Sequence, residues 1–171
     1  MLLALDTQIL DDCLNRHGEL GLFIEPDRFA PFRYSLRHDG KHCELIGAGP
    51  MAGFANACDD CIELVVDGRE RFPLVGAAKT RVLLMREDGM VWMPLRELYP
   101  GDTIVVPERN GCGEAGYWAE PRAIRRIKRV PMPSGFDRTR FAQMVVKPHG
   151  SFATISAYVL AANGAGEEPV R

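Results

Sequence analysis

Four turn signals cut this chain into short apolar runs, and their spacing constrains the fold more than any other feature. His38-Asp39-Gly40, Asp67-Gly68, Glu87-Asp88-Gly89 and Pro100-Gly101-Asp102 each combine residues that favour tight turns. The Asp-Gly pairs lie between apolar runs, which predicts β-hairpins. Candidate strands are "TQIL" from Thr7, "FRYSLR" from Phe32, "HCELI" from His42, "CIELVVD" from Cys61, "RFPLV" from Arg71 and "TRVLLM" from Thr80. They continue with "MVWMP" from Met90, "DTIVVP" from Asp102, "AIRRIKRV" from Ala123, "FAQMVVK" from Phe141 and "AYVLAA" from Ala157. Many alternate apolar and polar residues with the period of a half-buried strand. Only "PLRELY" from Pro94 suggests helix, of one or two turns. Strands at roughly ten-residue spacing predict one all-β domain. Asn110 to Gly116 reads as a loop, and the segment from Gly164 as a frayed end or linker.

Composition narrows the function classes. Hydrophobic residues make up 46% of the 171 and charged residues 26%, enough for a packed core. A net charge of −2 gives no strong pull toward nucleic acid or an anionic membrane. No apolar run approaches the ~20 residues of a membrane-spanning helix. The opening "MLLALDTQILDD" turns acidic at once and reads as a first strand rather than a signal segment. The expectation is a cytoplasmic monomer without a cofactor. Five cysteines, an odd number, argue against a disulfide framework.

Three blocks in order resemble the Hint fold, shared by inteins and the autoprocessing domain of hedgehog proteins. The start "LLALDTQI" is similar to phage-type inteins, with Asp6 and Thr7 matching their pattern. The middle, from Cys61 to Pro107, resembles the central block. There a Thr-x-x-His motif precedes a Trp-bearing strand, a short helical turn and Pro-Gly-Asp. "YWAEPRAIRRIKRV" and "FAQMVVKPHGSFATISAYVLAANG" are similar to the C-terminal blocks. The resemblance implies an all-β, Hint-like horseshoe of curved hairpins over residues 1–163, followed by a flexible tail over 164–171.

It also implies a chemistry, most of whose groups are replaced here. The residue aligned with the first nucleophile is Leu2, which has no thiol or hydroxyl to attack the preceding carbonyl. Thr-x-x-His aligns with Ala77 and Thr80, so the imidazole is missing. The Asp of the first C-terminal block aligns with Gln143, and the final His-Asn with Ala162-Asn163. Asn163 keeps the side-chain amide that cyclisation requires, and His149 falls where a histidine could assist it. Trp92 sits at the Trp position of inteins that start from a C-terminal-block cysteine, but "RFAQMVVKPHG" contains none. The resemblance therefore implies an autoprocessing domain that is inactive or limited to C-terminal cleavage, with Asn163, His149 and Thr80 as site residues and flanking polypeptide as substrate. The alternative is a non-catalytic structural or interaction module with a protein partner, of phage or mobile-element origin.

Other residues carry weaker chemistry. Cys58 and Cys61 form a C-x2-C pair that could join His42 and Cys43 on zinc, but adjacent strand residues point to opposite faces. The simpler expectation is Cys61 in the core and Cys58 in a turn. Cys13 pairs with Leu14 as a displaced nucleophile would, without the Asp-Thr that should follow. Ser151 and Thr154 have no evident base. In "RRIKR" from Arg125, Arg126 and Lys128 share a face, as on a solvated strand. Trp92, Trp118 and Phe152 read as core aromatics.

Overall fold

The computed structural model describes residues 3–4, 6–11, 16–20, 33–38, 43–48, 52–56, 60–109, 117–130, 141–146 and 150–161. In chain order the strands are β1 (Leu3–Ala4), β2 (Gln8–Asp11), β3 (Arg16–Glu19), β4 (Arg33–His38), β5 (Cys43–Ala48), β6 (Ala52–Asn56), β7 (Cys61–Val66) and β8 (Leu74–Ala77). Then come β9 (Arg81–Arg86), β10 (Gly89–Pro94), β11 (Thr103–Arg109), β12 (Tyr117–Val130), β13 (Phe141–Val145), β14 (Ser151–Ala153) and β15 (Tyr158–Leu160). Leu95–Glu97 forms one 3-10 turn, where "PLRELY" predicts helix.

Eleven of these strands form one antiparallel sheet, ordered β14-β15-β9-β11-β12-β7-β8-β1-β13-β6, with β10 on the other edge of β9. A second sheet runs β3-β2-β4-β5. The larger sheet curls because β12 serves two neighbours in succession. Residues 117–123 pair with β11, and residues 124–130 pair with β7. A bulge separates Ile124↔Val66 from Arg126↔Val65, and such bulges bend a strand and increase its twist.

The Pro-Gly-Asp turn clasps β12 at that bend. Gly101 N–H donates to Ile124 O at 2.9 Å, and Ile124 N–H donates to Asp102 O at 2.7 Å. The Asp102 carboxylate accepts from Tyr99 N–H at 2.9 Å, closing the turn, and meets Arg86 at 3.3 Å. Gly101 has φ 94°, a conformation that opposes any Cβ, although space for one is open. Gly101→Ala should therefore cost about 1–2 kcal/mol through backbone strain alone. A thermal melt checks this; an unchanged midpoint would show that the turn relaxes freely.

The "DG" of "REDG" builds the β9–β10 hairpin, with Arg86 opposite Gly89 across Glu87-Asp88. The two sheets share one main core. Leu3, Ile9, Leu64, Leu84, Ile104, Phe152 and Val159 lie in one cluster, all fully buried. Burial of each such side chain contributes about 1.5–3 kcal/mol.

The N-terminal run is not one strand. Thr7 N–H turns back onto Ala4 O at 3.0 Å, so β1 joins the large sheet and β2 the small one. β12 starts at Tyr117, six residues before the expected Ala123, and carries Pro121 opposite Val105. Among the described residues its first half pairs with β11 alone, the edge setting in which a strand tolerates proline. β3, β6 and β14 lack the periodic apolar signal: "RHGE" is polar, "AGFAN" is small-residue-rich and "SFA" has three residues.

Candidate functional site

Ala77 and Thr80, which the resemblance aligns with Thr-x-x-His, bracket the turn between β8 and β9. It reads Ala77-Ala78-Lys79-Thr80. Four backbone bonds hold it: Thr80 N–H to Ala77 O at 2.8 Å, Ala78 N–H to Asp60 O at 2.9 Å, Leu95 N–H to Thr80 O at 2.8 Å and Arg96 N–H to Ala78 O at 3.1 Å. The "LREL" turn thus braces this segment from one side and β7 from the other. Thr80 is fully buried.

Both ends of the fold run up to this segment. At the N-terminal end, Leu3 pairs with Gly76 and with Ala142. Those partners are the residues next to Ala77 and Gln143, just as Leu3 is next to position 2. At the C-terminal end, Val159 of β15 pairs antiparallel with Val82, so β15 runs toward Thr80. Ala161 N–H donates to Gly150 O at 2.7 Å. Gly150, with φ 63°, adjoins position 149, and Ala161 stands two residues before position 163.

Of the expected site residues, Thr80 lies in this segment, while His149, Asn163, Leu2 and Ala162 lie outside the described residues, as do Cys13, Cys58, His42, the loop 110–116 and the tail 164–171. The groups described here are poor acids and bases. A hydroxyl at Thr80 can hydrogen-bond a carbonyl, but it cannot supply a proton near neutral pH as an imidazole does. Gln143, half-buried on β13, cannot ionise.

The remaining candidates sort structurally. Cys61 is buried opposite Ala77 on β7, whereas Cys43 is on β5 of the smaller sheet. Thr154 Oγ1 donates to Ala157 O at 2.8 Å and accepts from Ala157 N–H at 3.0 Å, so its hydroxyl shapes a turn. Ser151 is buried in β14 opposite Leu160. Phe152 is core, as expected, while Trp92 is half-buried against a smaller cluster of Leu83, Met90, Val105, Ala153 and Tyr158. Trp118 lies in β12, opposite Glu108.

The basic run on β12 is partly neutralised, with two carboxylates against its four cations. Arg126 and Lys128 both reach Glu63, at 3.0 and 3.3 Å, on the shared face that alternation predicts. The bulge turns Arg125 to solvent as well, where it meets Glu70 at 2.6 Å. Glu70's own backbone N–H, then Arg125, then Gly68 N–H hold its carboxyl below the ordinary carboxylate range.

Sequence reading missed a second cationic group. Lys79, Arg81 and Arg96 gather with Trp92, Met93, Pro94 and Glu97 around a cleft of about 330 Å³. The hairpin joins residues up to eighteen apart, and the only linear hint is that Lys79 and Arg81 flank Thr80.

A curled antiparallel sheet with both ends led to one buried turn defines the Hint fold, and this chain has it. Solved inteins share the architecture. A mutant of the Ssp DnaB mini-intein superposes with a TM-score of 0.69 at 13% identity, over 95% of this chain and 99% of that one. The DnaB intein from Synechocystis sp. gives 0.66 at 15%, over 94% and 98%. The Pab PolII intein gives 0.66 at 16%, over 93% and 99%. No protein-family model and no curated protein matches the sequence.

Proposed function

We propose that the chain is an intein-like domain set within flanking polypeptide, with its N-terminal step lost and C-terminal cleavage as its residual chemistry. The observation that carries this reading is the approach of both ends of the fold to Ala77–Thr80, where the reactive groups of an intein are replaced. The side-chain amide nitrogen of Asn163 is the one expected nucleophile still in the sequence. It attacks the Asn163 backbone carbonyl, forming a C–N bond, while the peptide bond to Gly164 breaks. The proton moves to the departing Gly164 nitrogen, leaving an aspartimide. His149 would polarise the carbonyl. Without the histidine usual at position 162 the reaction is slow, because a positioned acid or base contributes about 10²–10⁴-fold.

In a fusion with foreign sequence on both sides, intact mass should reveal a C-terminal fragment over hours to days. Asn163→Ala should stop its release. An unchanged mass after long incubation, with and without thiol, would exclude cleavage.

The alternative is a frame kept as a non-catalytic interaction module. Favouring it, Thr80, which the resemblance aligns with the histidine of Thr-x-x-His, is fully buried. Such a module should stay intact and co-purify with a partner. The paired cations of β12 support a polypeptide partner over nucleic acid. Among the described residues, no helix is long and apolar enough to cross a membrane.

A further inference from the structure

We infer that the acidic pair Glu167-Glu168 docks in the cationic cleft formed by Lys79, Arg81 and Arg96, so that this cleft reads the polypeptide following Asn163. This deepens the autoprocessing reading, on which only its consequence for cleavage rests; the docking itself rests on charge and chain path.

The charge comes first. Three cations and one carboxylate line the cleft. Arg96 and Glu97 pair with each other at 3.5 Å. Lys79 and Arg81 are exposed, and neither makes an ion pair among the described residues. Two positive charges are therefore available beside Trp92. Between Ala161 and Glu167 the sequence is Ala-Asn-Gly-Ala-Gly, so Glu167 and Glu168 are the first charges beyond the last described residue.

The path comes second. β15 lies along one edge of β9, with Val159 opposite Val82, and runs toward Lys79. β10 lies along the other edge, with Pro94 opposite Arg81 and Trp92 opposite Leu83. The cleft on the β10 side is two strand spacings from β15, about 10 Å. Six residues from Ala161 to Glu167 span up to ~20 Å. Gly164 and Gly166 carry no Cβ, so the sequence there would permit a bend. Docking the acidic pair would hold the Asn163–Gly164 bond beside the Ala77–Thr80 turn. Acidic residues four and five places beyond Asn163 would then favour cleavage.

The test is zero-length carbodiimide coupling of the full chain carrying Asn163→Ala, which keeps the segment attached whether or not the domain cleaves. Peptide mass spectrometry should find Lys79 coupled to Glu167 or Glu168 above the levels at Lys41, Lys128 and Lys147. Arg81→Ala, which leaves Lys79 in place, should lower that yield by up to about fivefold, the loss expected for one exposed ion pair. About 1 M salt, where the screening length is ~3 Å, should lower it similarly without any substitution. Equal coupling at all four lysines, or a yield indifferent to both salt and variant, would overturn the inference. A chain that couples but never cleaves defeats the autoprocessing reading alone; one that cleaves without coupling defeats the docking alone.

Discussion

Phe152→Ala should lower stability by about 3–5 kcal/mol, the usual cost of emptying a fully buried aromatic site. Phe152 is completely buried in the main core on β14, and β14 reaches the rest of the sheet through β15. Domains of this size have only about 5–15 kcal/mol in total, and each kcal/mol shifts the melting midpoint by about 2–4 °C. The midpoint should thus fall by on the order of 10 °C. The damage should spread to the candidate site, because Gly150 and Ser151 precede Phe152 and Gly150 O anchors Ala161. Trp92→Ala, at a half-buried position, should cost less than Phe152→Ala. Calorimetry of both variants is the check. If Trp92 proved the more costly, β14 would not be seated in the core as described.

Why one aromatic is core and the other is not was only partly legible in the sequence. Asp-Gly turns and short apolar runs locate β7, β9, β10 and β11 to within a residue or two; β7, β9 and β11 bury consecutive residues on both faces, so continuous apolar runs mark them rather than strict alternation. Alternation fails where a strand's setting changes along its length. β12 pairs first with β11 and then with β7, and its bulge places Arg125 and Arg126 both toward solvent. Pro121 hides its first half from propensity reasoning for the same reason. The split of the first strand hinges on the Ala4–Thr7 hydrogen bond, which local composition does not encode. At the site, the replaced positions were readable one by one through the family resemblance. Their spatial relation was not, since Leu3 meets Gly76 and Ala142, and Val159 meets Val82, only through long-range pairing. The cleft of Lys79, Arg81 and Arg96 escaped reading because the open end of the β9–β10 hairpin gathers cations that look scattered along the chain.

If the autoprocessing reading holds, installing two of an intein's reactive groups should enable its N-terminal step. In a fusion with foreign sequence ahead of position 2, Leu2→Cys with Thr80→His should make the upstream segment releasable by added thiol within about a day. The sulfur introduced at position 2 would attack the preceding carbonyl, the C–S bond replacing the C–N bond. The departing amide nitrogen would take its proton from the new imidazolium. The register supports the meeting: Leu3 is held against Gly76, and Thr80 is tied to Ala77 by a 2.8 Å backbone bond. Leu2→Cys alone should react about 10²–10⁴-fold more slowly, the contribution of a positioned general acid. The imidazole enters a fully buried position, so overpacking should cost about 1–3 kcal/mol, partly relieved by the small neighbours Ala77 and Ala78. Reaction needs thiolate and imidazolium together, so the rate should peak between their ordinary pKa values of about 6.5 and 8.5. Burial should draw the lower limb further down, since desolvation disfavours the charged ring. Intact mass against time and pH reads all of this. Equal rates for the single and double variants would show that position 80 does not face the N-terminal junction, and that the likeness to inteins ends at the fold.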